Sequence, residues 1–237
     1  MDLFEKQEKI NEPSSLVIIG KPKQGKTSIV SQLPNSVILD YENGSKYIEH
    51  DRIIDVNKHG INLWSNLQDI KGKYDFGVID TLTSLEEYLS KIVVSDYNAE
   101  NKTEYRALAE IPYGGGYGII RQRLVSHINY LKTIFKRIIL LGHTKEKHIN
   151  SNNIVLDLAL AGKSADIVLS LVDSISFLKR EKTDESSNAM LHFSETSSDV
   201  GGSRFKKLDG KMIVISKLNN KNELTTNWKE VFPDTIK

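Results

Sequence analysis

Cysteine is absent from all 237 residues. That removes thiol nucleophiles, thiolate metal sites and disulfide bridges together, and it fits a reducing cytoplasm. An excess of either charge is also missing. The 32 Lys and Arg stand against 31 Asp and Glu, so nothing chain-wide points to a polyanion, and any such site must be a local patch. No stretch approaches the roughly 18 consecutive apolar residues that a bilayer span needs. The segment from Met1 to Pro13 is charged and lacks an apolar core, so the chain is expected to be cytoplasmic, unexported and without a membrane partner. The six histidines fall without paired metal-ligand spacing, and no G-x-S-x-G elbow occurs. A protein-ligated zinc site and Ser-His-Asp hydrolysis are set aside on those grounds.

Apolar material is present in short runs. Leu16 to Ile19, Val37 to Leu39, Gly77 to Ile79 and Ile138 to Leu141 are continuous and rich in β-branched residues, as strands buried on both faces are. They predict a mainly parallel sheet. Between the last two, Leu124, Ile128, Leu131 and Phe135 recur at three- and four-residue spacing from Arg121 to Phe135, which predicts an amphipathic crossover helix. After His143 come a polar stretch, Thr144 to Asn153, then Ile154 to Leu160, and then three apolar segments, Ser174 to Leu178, Met190 to Phe193 and Met212 to Ile215. The charged, serine-rich loop from Lys182 to Asn188 interrupts them, and their rhythm predicts an antiparallel extension. Neither an internal repeat nor a linker is visible. We expect one α/β domain over 1–237, with 1–13 as an N-terminal extension and 218–237 as a C-terminal segment.

The strongest signal is Gly20-Lys21-Pro22-Lys23-Gln24-Gly25-Lys26-Thr27, continued by Ser28. It fits G-x-x-x-x-G-K-[ST] between a strand and a helical segment. Glycines let backbone N–H groups turn inward around phosphate oxygens, and a helix N-terminus adds positive potential. Lys26 reaches the β and γ phosphates, and the Thr27 hydroxyl holds Mg²⁺. Asp80 ends an apolar strand, where a carboxylate can hold the magnesium shell of a nucleotide in the adjacent crevice. In isolation such an Asp reads as a helix cap. Asp40-Tyr41-Glu42 follows the second buried strand. Glu42 suits orienting or deprotonating a water in line with the γ-phosphate, whereas Asp40 reads as the strand terminus. A solvated turn is the plain alternative.

This combination resembles the RecA-like P-loop ATPase core, and more narrowly the phage-encoded RecA-like single-strand annealing ATPases. The likeness covers about residues 14 to 217. It implies an α/β fold with helices on both faces of the sheet and an antiparallel C-terminal extension, using ATP and Mg²⁺. The family's Asp-x-Glu after the phosphate-loop helix matches Glu42 as catalytic base, and Val78 to Leu85 resembles its magnesium strand, matching at Asp80. Ile139 to His143 resembles the strand whose terminal polar residue senses the γ-phosphate and opens the second DNA-binding loop. RecA itself has glutamine there, so His143 departs from it. Ile111 to Gly118 resembles a Pro-Tyr-Gly-x-Gly-Tyr segment of the phage proteins. RecA's N-terminal polymerisation helix domain and its C-terminal domain are both missing, which suggests a helper or annealer.

The resemblance implies DNA contact through Lys145, Lys147 and His148, with Tyr113 and Tyr117 as stacking surfaces; Asn150 to Asn153 would keep that stretch flexible. It further implies a homo-oligomer, ring or filament, in which Arg204 or Lys206, from a basic run that includes Lys207 and Lys211, reaches a neighbour's nucleotide. Single-stranded DNA and a single-strand-binding protein are the expected partners. Trp228 reads as a packing anchor. Three alternatives stay open: a partition-type dimer ATPase, because Lys21 sits where such loops carry an extra lysine; a nucleotide-stabilised DNA-binding scaffold; and a small-molecule kinase, for which neither lid nor acceptor pocket is specified.

Overall fold

The computed structural model describes residues 10–60, 63–150, 153–182, 186–194, 201–220 and 223–237. Its strands are β1 (Ser15–Ile19), β2 (Ser36–Asp40), β3 (Ile53–Asp55), β4 (Phe76–Asp80), β5 (Arg137–Gly142), β6 (Thr144–Asn150), β7 (Asn153–Leu158), β8 (Ser174–Lys182), β9 (Ser186–His192), β10 (Gly202–Ser203), β11 (Met212–Asn219) and β12 (Leu224–Thr226). The helices are α1 (Lys26–Val30), α2 (Val56–His59), α3 (Leu63–Gln68), α4 (Leu82–Asn101), α5 (Gly115–Ile134) and α6 (Ser164–Ser170). The main sheet runs β12-β11-β9-β8-β1-β5-β4-β2-β3, with β10 paired to β8. From β3 to β8 all pairings are parallel; β9, β11 and β12 add antiparallel strands. The expected parallel sheet with an antiparallel C-terminal extension is what forms.

Continuous apolar strands follow from burial on two sides. Val17, Ile19, Leu39, Ile79, Ile138 and Leu140 face one core, which α3, α4, α5 and α6 cover. Their neighbours Leu16, Ile18, Ile38, Val78, Ile139 and Leu141 face a second core, closed by Ile29 and Val30 of α1 and by Trp228, Val231 and Phe232. Trp228 is buried, and its indole N–H donates to the Ile29 carbonyl at 2.9 Å, the anchoring role its sequence position implies.

α4 starts where the Thr81 side chain accepts from the Ser84 amide. Leu82, Leu85, Leu89 and Val93 then give it one buried stripe. The crossover helix α5 begins at Gly115, six residues before the apolar pattern, and carries Ile120, Leu124, Ile128 and Leu131 inward. Glycine is a poor helix former, but Gly116 lies so close to the Leu108 backbone that a Cβ would collide with it.

Two loops expected from sequence are corrected. Within Thr144 to Asn153, Thr144–Asn150 is the strand β6, paired antiparallel to β7 (Asn153–Leu158) in a separate two-stranded sheet. The Lys182–Asn188 region belongs largely to β8 and β9, with Lys182 opposite Ser187. The hairpin tip at 151–152, the His148 side chain and residues 183–185 lie outside the described residues. Among the described residues, no helix is long and apolar enough to cross a membrane.

Candidate functional site

At the carboxyl edge of the parallel sheet three strand ends converge. β1 runs into the Gly20–Thr27 loop, and β4 and β5 lie side by side with Asp80 opposite Leu141. The loop turns through a left-handed Gly25 with φ of 81°, where a non-glycine residue is strained. Lys21, Pro22 and Lys23 are exposed on its rim. Lys26 is buried, its Nζ donating to the carbonyls of Gly20 at 2.8 Å and Lys21 at 3.0 Å. Burial lowers its pKa, against the opposing pull of Asp80 and Glu42.

Thr27 and Asp80, 53 residues apart, meet directly: the Thr27 hydroxyl donates to Asp80 Oδ2 at 2.7 Å. Burial, helped by the charges of Glu42 and Asp40, pushes the Asp80 carboxyl up to about 6, against the lowering effect of the Thr27 hydrogen bond. A buried carboxylate short of positive charge beside a hydroxyl is a hard-oxygen pair suited to Mg²⁺, which fills its remaining positions with water and phosphate oxygens. Among the described residues there is no group of three or more His, Cys, Asp or Glu that could cage a metal, so a cation held by Thr27 and Asp80 takes the rest of its shell from water or phosphate oxygens.

Asp40 and Glu42 divide their work. Asp40 is buried and accepts from the amides of Glu42 and Ser45, each at 3.0 Å, and from the Ser45 hydroxyl. That fixes the turn and leaves Glu42 half-exposed, its Oε2 3.5 Å from His143 Nε2. On its other side, His143 Nδ1 lies 3.2 Å from Lys26 Nζ. An ammonium only donates, so Nδ1 accepts and the ring proton sits on Nε2, facing Glu42. Burial and then Lys26 lower the His143 pKa, with Glu42 opposing; the ring is neutral at neutral pH. Tyr41, between the two acids, points the other way and shares a 2.7 Å hydrogen bond with buried His127.

His143 also marks where the chain leaves the main sheet. Its carbonyl accepts from the Ala159 amide at 2.8 Å, closing the base of the β6–β7 hairpin. Thr83 Oγ1 donates to the Ala159 carbonyl at 3.1 Å, and the Ala161 amide donates to Glu86 Oε2 at 2.8 Å. The hairpin is thus tied both to β5 and to the first turns of α4, directly after Asp80.

The remaining expected residues are placed as follows. Lys145 donates to the Leu160 carbonyl, and Lys147 lies 3.6 Å from Asp157 and 4.0 Å from Asp166. Tyr113 is fully exposed at φ of 57°, and Tyr117 is half-buried in the first turn of α5. Arg204 pairs with Asp173 at 3.3 Å, beside Ser14 and Ser15 at the amino edge of the sheet, and Lys206 is exposed next to it. Neither of these two approaches the chain's own phosphate loop.

Sequence reasoning missed Arg180 of β8, whose Nε donates to the Gln24 carbonyl of the loop at 2.5 Å. A cavity of about 680 Å³ among Trp64, Tyr88, His127 and Tyr130 is larger than the space at the loop, but it contains none of the phosphate-binding groups. The chemistry places a nucleotide at the loop instead.

Among solved structures, a RadB recombinase aligns over 91% of this chain and 92% of its own, at 12% identity and a TM-score of 0.48. A KaiC-like protein from the hyperthermophilic archaeon Pyrococcus horikoshii OT3 aligns over 91% and 90%, at 10% identity and a TM-score of 0.44. No curated protein matches the chain. The profile described as AAA domain matches residues 12–205, a span that holds the phosphate loop, Glu42, Asp80 and His143, and the chain belongs to that family of P-loop ATPases.

Proposed function

We propose that the whole chain acts as one Mg-ATP-dependent, oligomerising RecA-like ATPase that binds single-stranded DNA and promotes its annealing in phage DNA metabolism. The observation that carries this reading is His143. Its side chain joins Lys26 to Glu42, and its carbonyl closes the base of the β6–β7 hairpin. A change at the γ-phosphate is thereby passed through one residue to a projecting hairpin.

In this reading the amide N–H groups of residues 23–28 cradle the phosphates, and Lys26 leaves its two carbonyl partners for phosphate oxygens. Thr27 and Asp80 would hold a magnesium ion, which when bound neutralises charge on the phosphates. Glu42 orients and deprotonates the attacking water, with His143 Nε2–H holding its carboxylate in place. Tyr113 offers a stacking face, and Lys145 and Lys147 supply backbone contacts once DNA displaces their internal partners. Arg204 or Lys206 serves the nucleotide of a neighbouring copy in a ring or filament.

The test is ATP hydrolysis with magnesium, alone and with single-stranded or duplex DNA, for wild type and Glu42→Gln. Stimulation by single strands that the variant loses supports the reading. Hydrolysis indifferent to every DNA sinks the DNA assignment. Annealing that survives Glu42→Gln but vanishes in Lys26→Ala makes the protein a nucleotide-stabilised scaffold.

A further inference from the structure

Resting on the nucleotide reading above, Arg180 gives the phosphate loop a support that the loop's own sequence does not contain. It stands on β8 three residues beyond Phe177, which pairs with Ile19, the last strand residue of β1 before the loop. The guanidinium makes two hydrogen bonds: Nε to the Gln24 carbonyl at 2.5 Å and Nη1 to Ser187 Oγ on β9 at 3.3 Å. Its third nitrogen, Nη2, fills the space that a Cβ on Gly25 would need.

An anion nest turns its amide N–H groups toward the ligand, so its carbonyls face away from it. The Gln24 carbonyl is such an acceptor, which no phosphate can satisfy. Gln24 is held a second time through its side chain, where Oε1 accepts from the Lys21 amide at 2.9 Å. One residue of the loop is therefore fixed from both ends, and one of those fixings comes from a strand 156 positions away.

We infer that Arg180 is a positioning residue, acting within its own chain, that holds the phosphate loop in its anion-binding form and ties it to the β8–β9 hairpin. A planar guanidinium presents donors in a fixed fork and so bonds Gln24 and Ser187 at once while its Nη2 fills the space beside Gly25. A lysine at the same place offers a point charge and cannot cover all three. The substrate's phosphates feel Arg180 through the shape of the loop, so its loss acts on nucleotide affinity and leaves the in-line attack alone.

The experiment measures binding of a fluorescent ATP analogue with magnesium, and steady-state hydrolysis, for wild type, Arg180→Ala, Arg180→Lys, Ser187→Ala and Lys26→Ala. Arg180→Ala is expected to weaken binding about tenfold, the worth of one charge-assisted hydrogen bond. KM rises with it, while kcat at saturation stays within about threefold. Arg180→Lys recovers little of the affinity, free guanidinium ion restores part of it to Arg180→Ala, and Ser187→Ala weakens binding about twofold. A loss of affinity in Arg180→Lys at wild-type melting temperature carries the conclusion even where the alanine variant does not fold.

Wild-type affinity in both Arg180 variants overturns the inference, as does a loss confined to kcat, which would give Arg180 to the transition state. If Lys26→Ala loses nucleotide while the Arg180 variants keep it, the positioning role falls and the nucleotide site stands. If wild type binds no nucleotide, both fall.

Discussion

The two edges of the sheet treat buried charge in opposite ways. At the amino edge, burial alone would raise Glu12, Asp75 and Asp173, yet all three end below the ordinary carboxylate range. Hydrogen bonds outweigh burial there. Glu12 accepts from Arg137, from the amides of Asp234 and Thr235 and from the Thr235 hydroxyl; Asp173 accepts from the amides and hydroxyls of Ser14 and Ser15. At the carboxyl edge burial wins. Asp80 is pushed up to about 6, and Lys26 and His143 are both lowered. Ions that complete one another within the chain hold the fold together. Ions left incomplete wait for something the chain does not supply, and in a phosphate-loop crevice that is a nucleotide with its cation.

Breaking the carboxyl edge should cost chemistry and almost no stability. Glu42→Gln keeps the shape of the side chain and removes the carboxylate proposed as the base. The expected loss in kcat is about 10²- to 10⁴-fold, with nucleotide binding retained. Because Glu42 is half-exposed, its melting temperature should stay within about 1 °C of wild type, which differential scanning calorimetry checks. A variant that hydrolyses ATP at the wild-type rate would remove Glu42 from the reaction.

Breaking the amino edge should do the reverse. Glu12 is fully buried and Arg137 mostly so, 2.9 Å apart with the arginine side chain 20% exposed, and removing Arg137 strands a buried carboxylate. Glu12→Ala is expected to cost about 3 kcal/mol, or about 6–12 °C in Tm for a chain of this size. Hydrolysis per folded molecule should not change. The sign with pH follows from the lowered pKa: the stabilisation is complete above the ordinary glutamate range and fades as pH falls through the folded value. The gap between variant and wild type should therefore narrow in acid, as thermal melts at several pH values would reveal.

Asp80→Asn sharpens the contrast because it should stabilise the nucleotide-free protein. A folded pKa of about 6 lies above the ordinary 3.8, so the ionised carboxylate destabilises the fold above pH 6 and the penalty disappears as pH drops toward 4. The amide carries no such penalty and still accepts from Thr27. We expect the variant to gain about 2 kcal/mol at pH 8, or about 5 °C, and nothing near pH 4. Mg-ATP should invert the ranking by stabilising wild type alone. A variant that melts below wild type at pH 8 without ligand would show that Asp80 is already compensated.

These edges were unequally legible in the sequence. The four central strands could be read because burial on both faces leaves continuous apolar runs, and the loop could be read because its spacing is fixed by phosphate geometry. Asp80 and Glu42 could be proposed from the residues, as carboxylates at or just after the ends of apolar strands, whereas the role given to His143 came from family resemblance. The β6–β7 hairpin escaped because it stands off the main sheet: Thr144 to Asn150 alternates among polar residues, with no apolar face to announce a strand. Glu12 and Arg180 escaped for a different reason. Each sits in a charged local context that reads as solvated surface, and its partners lie 125 and 156 residues away. Such pairs are decided by the fold, and local sequence does not encode them.

The smallest expected effect at the amino edge comes from its second arginine. Arg204 pairs with Asp173 as Arg137 pairs with Glu12, but Arg204 is 68% exposed where Arg137 is 20%. Water already solvates most of its guanidinium, and Asp173 keeps all four of its serine hydrogen bonds without it. Arg204→Ala should therefore cost less than about 1 kcal/mol by chemical denaturation, against about 3 kcal/mol for Arg137→Ala. That small cost makes Arg204 a clean probe of the subunit contact proposed for it. Loss of hydrolysis in a variant of wild-type stability cannot be blamed on unfolding, and its own phosphate loop lies at the other edge. If Arg204 serves a neighbour, mixing Arg204→Ala with Glu42→Gln should restore part of the rate, because the first then supplies an intact base facing the arginine of the second. Full activity of Arg204→Ala alone would return it to the solvated amino edge, where its geometry already accounts for it.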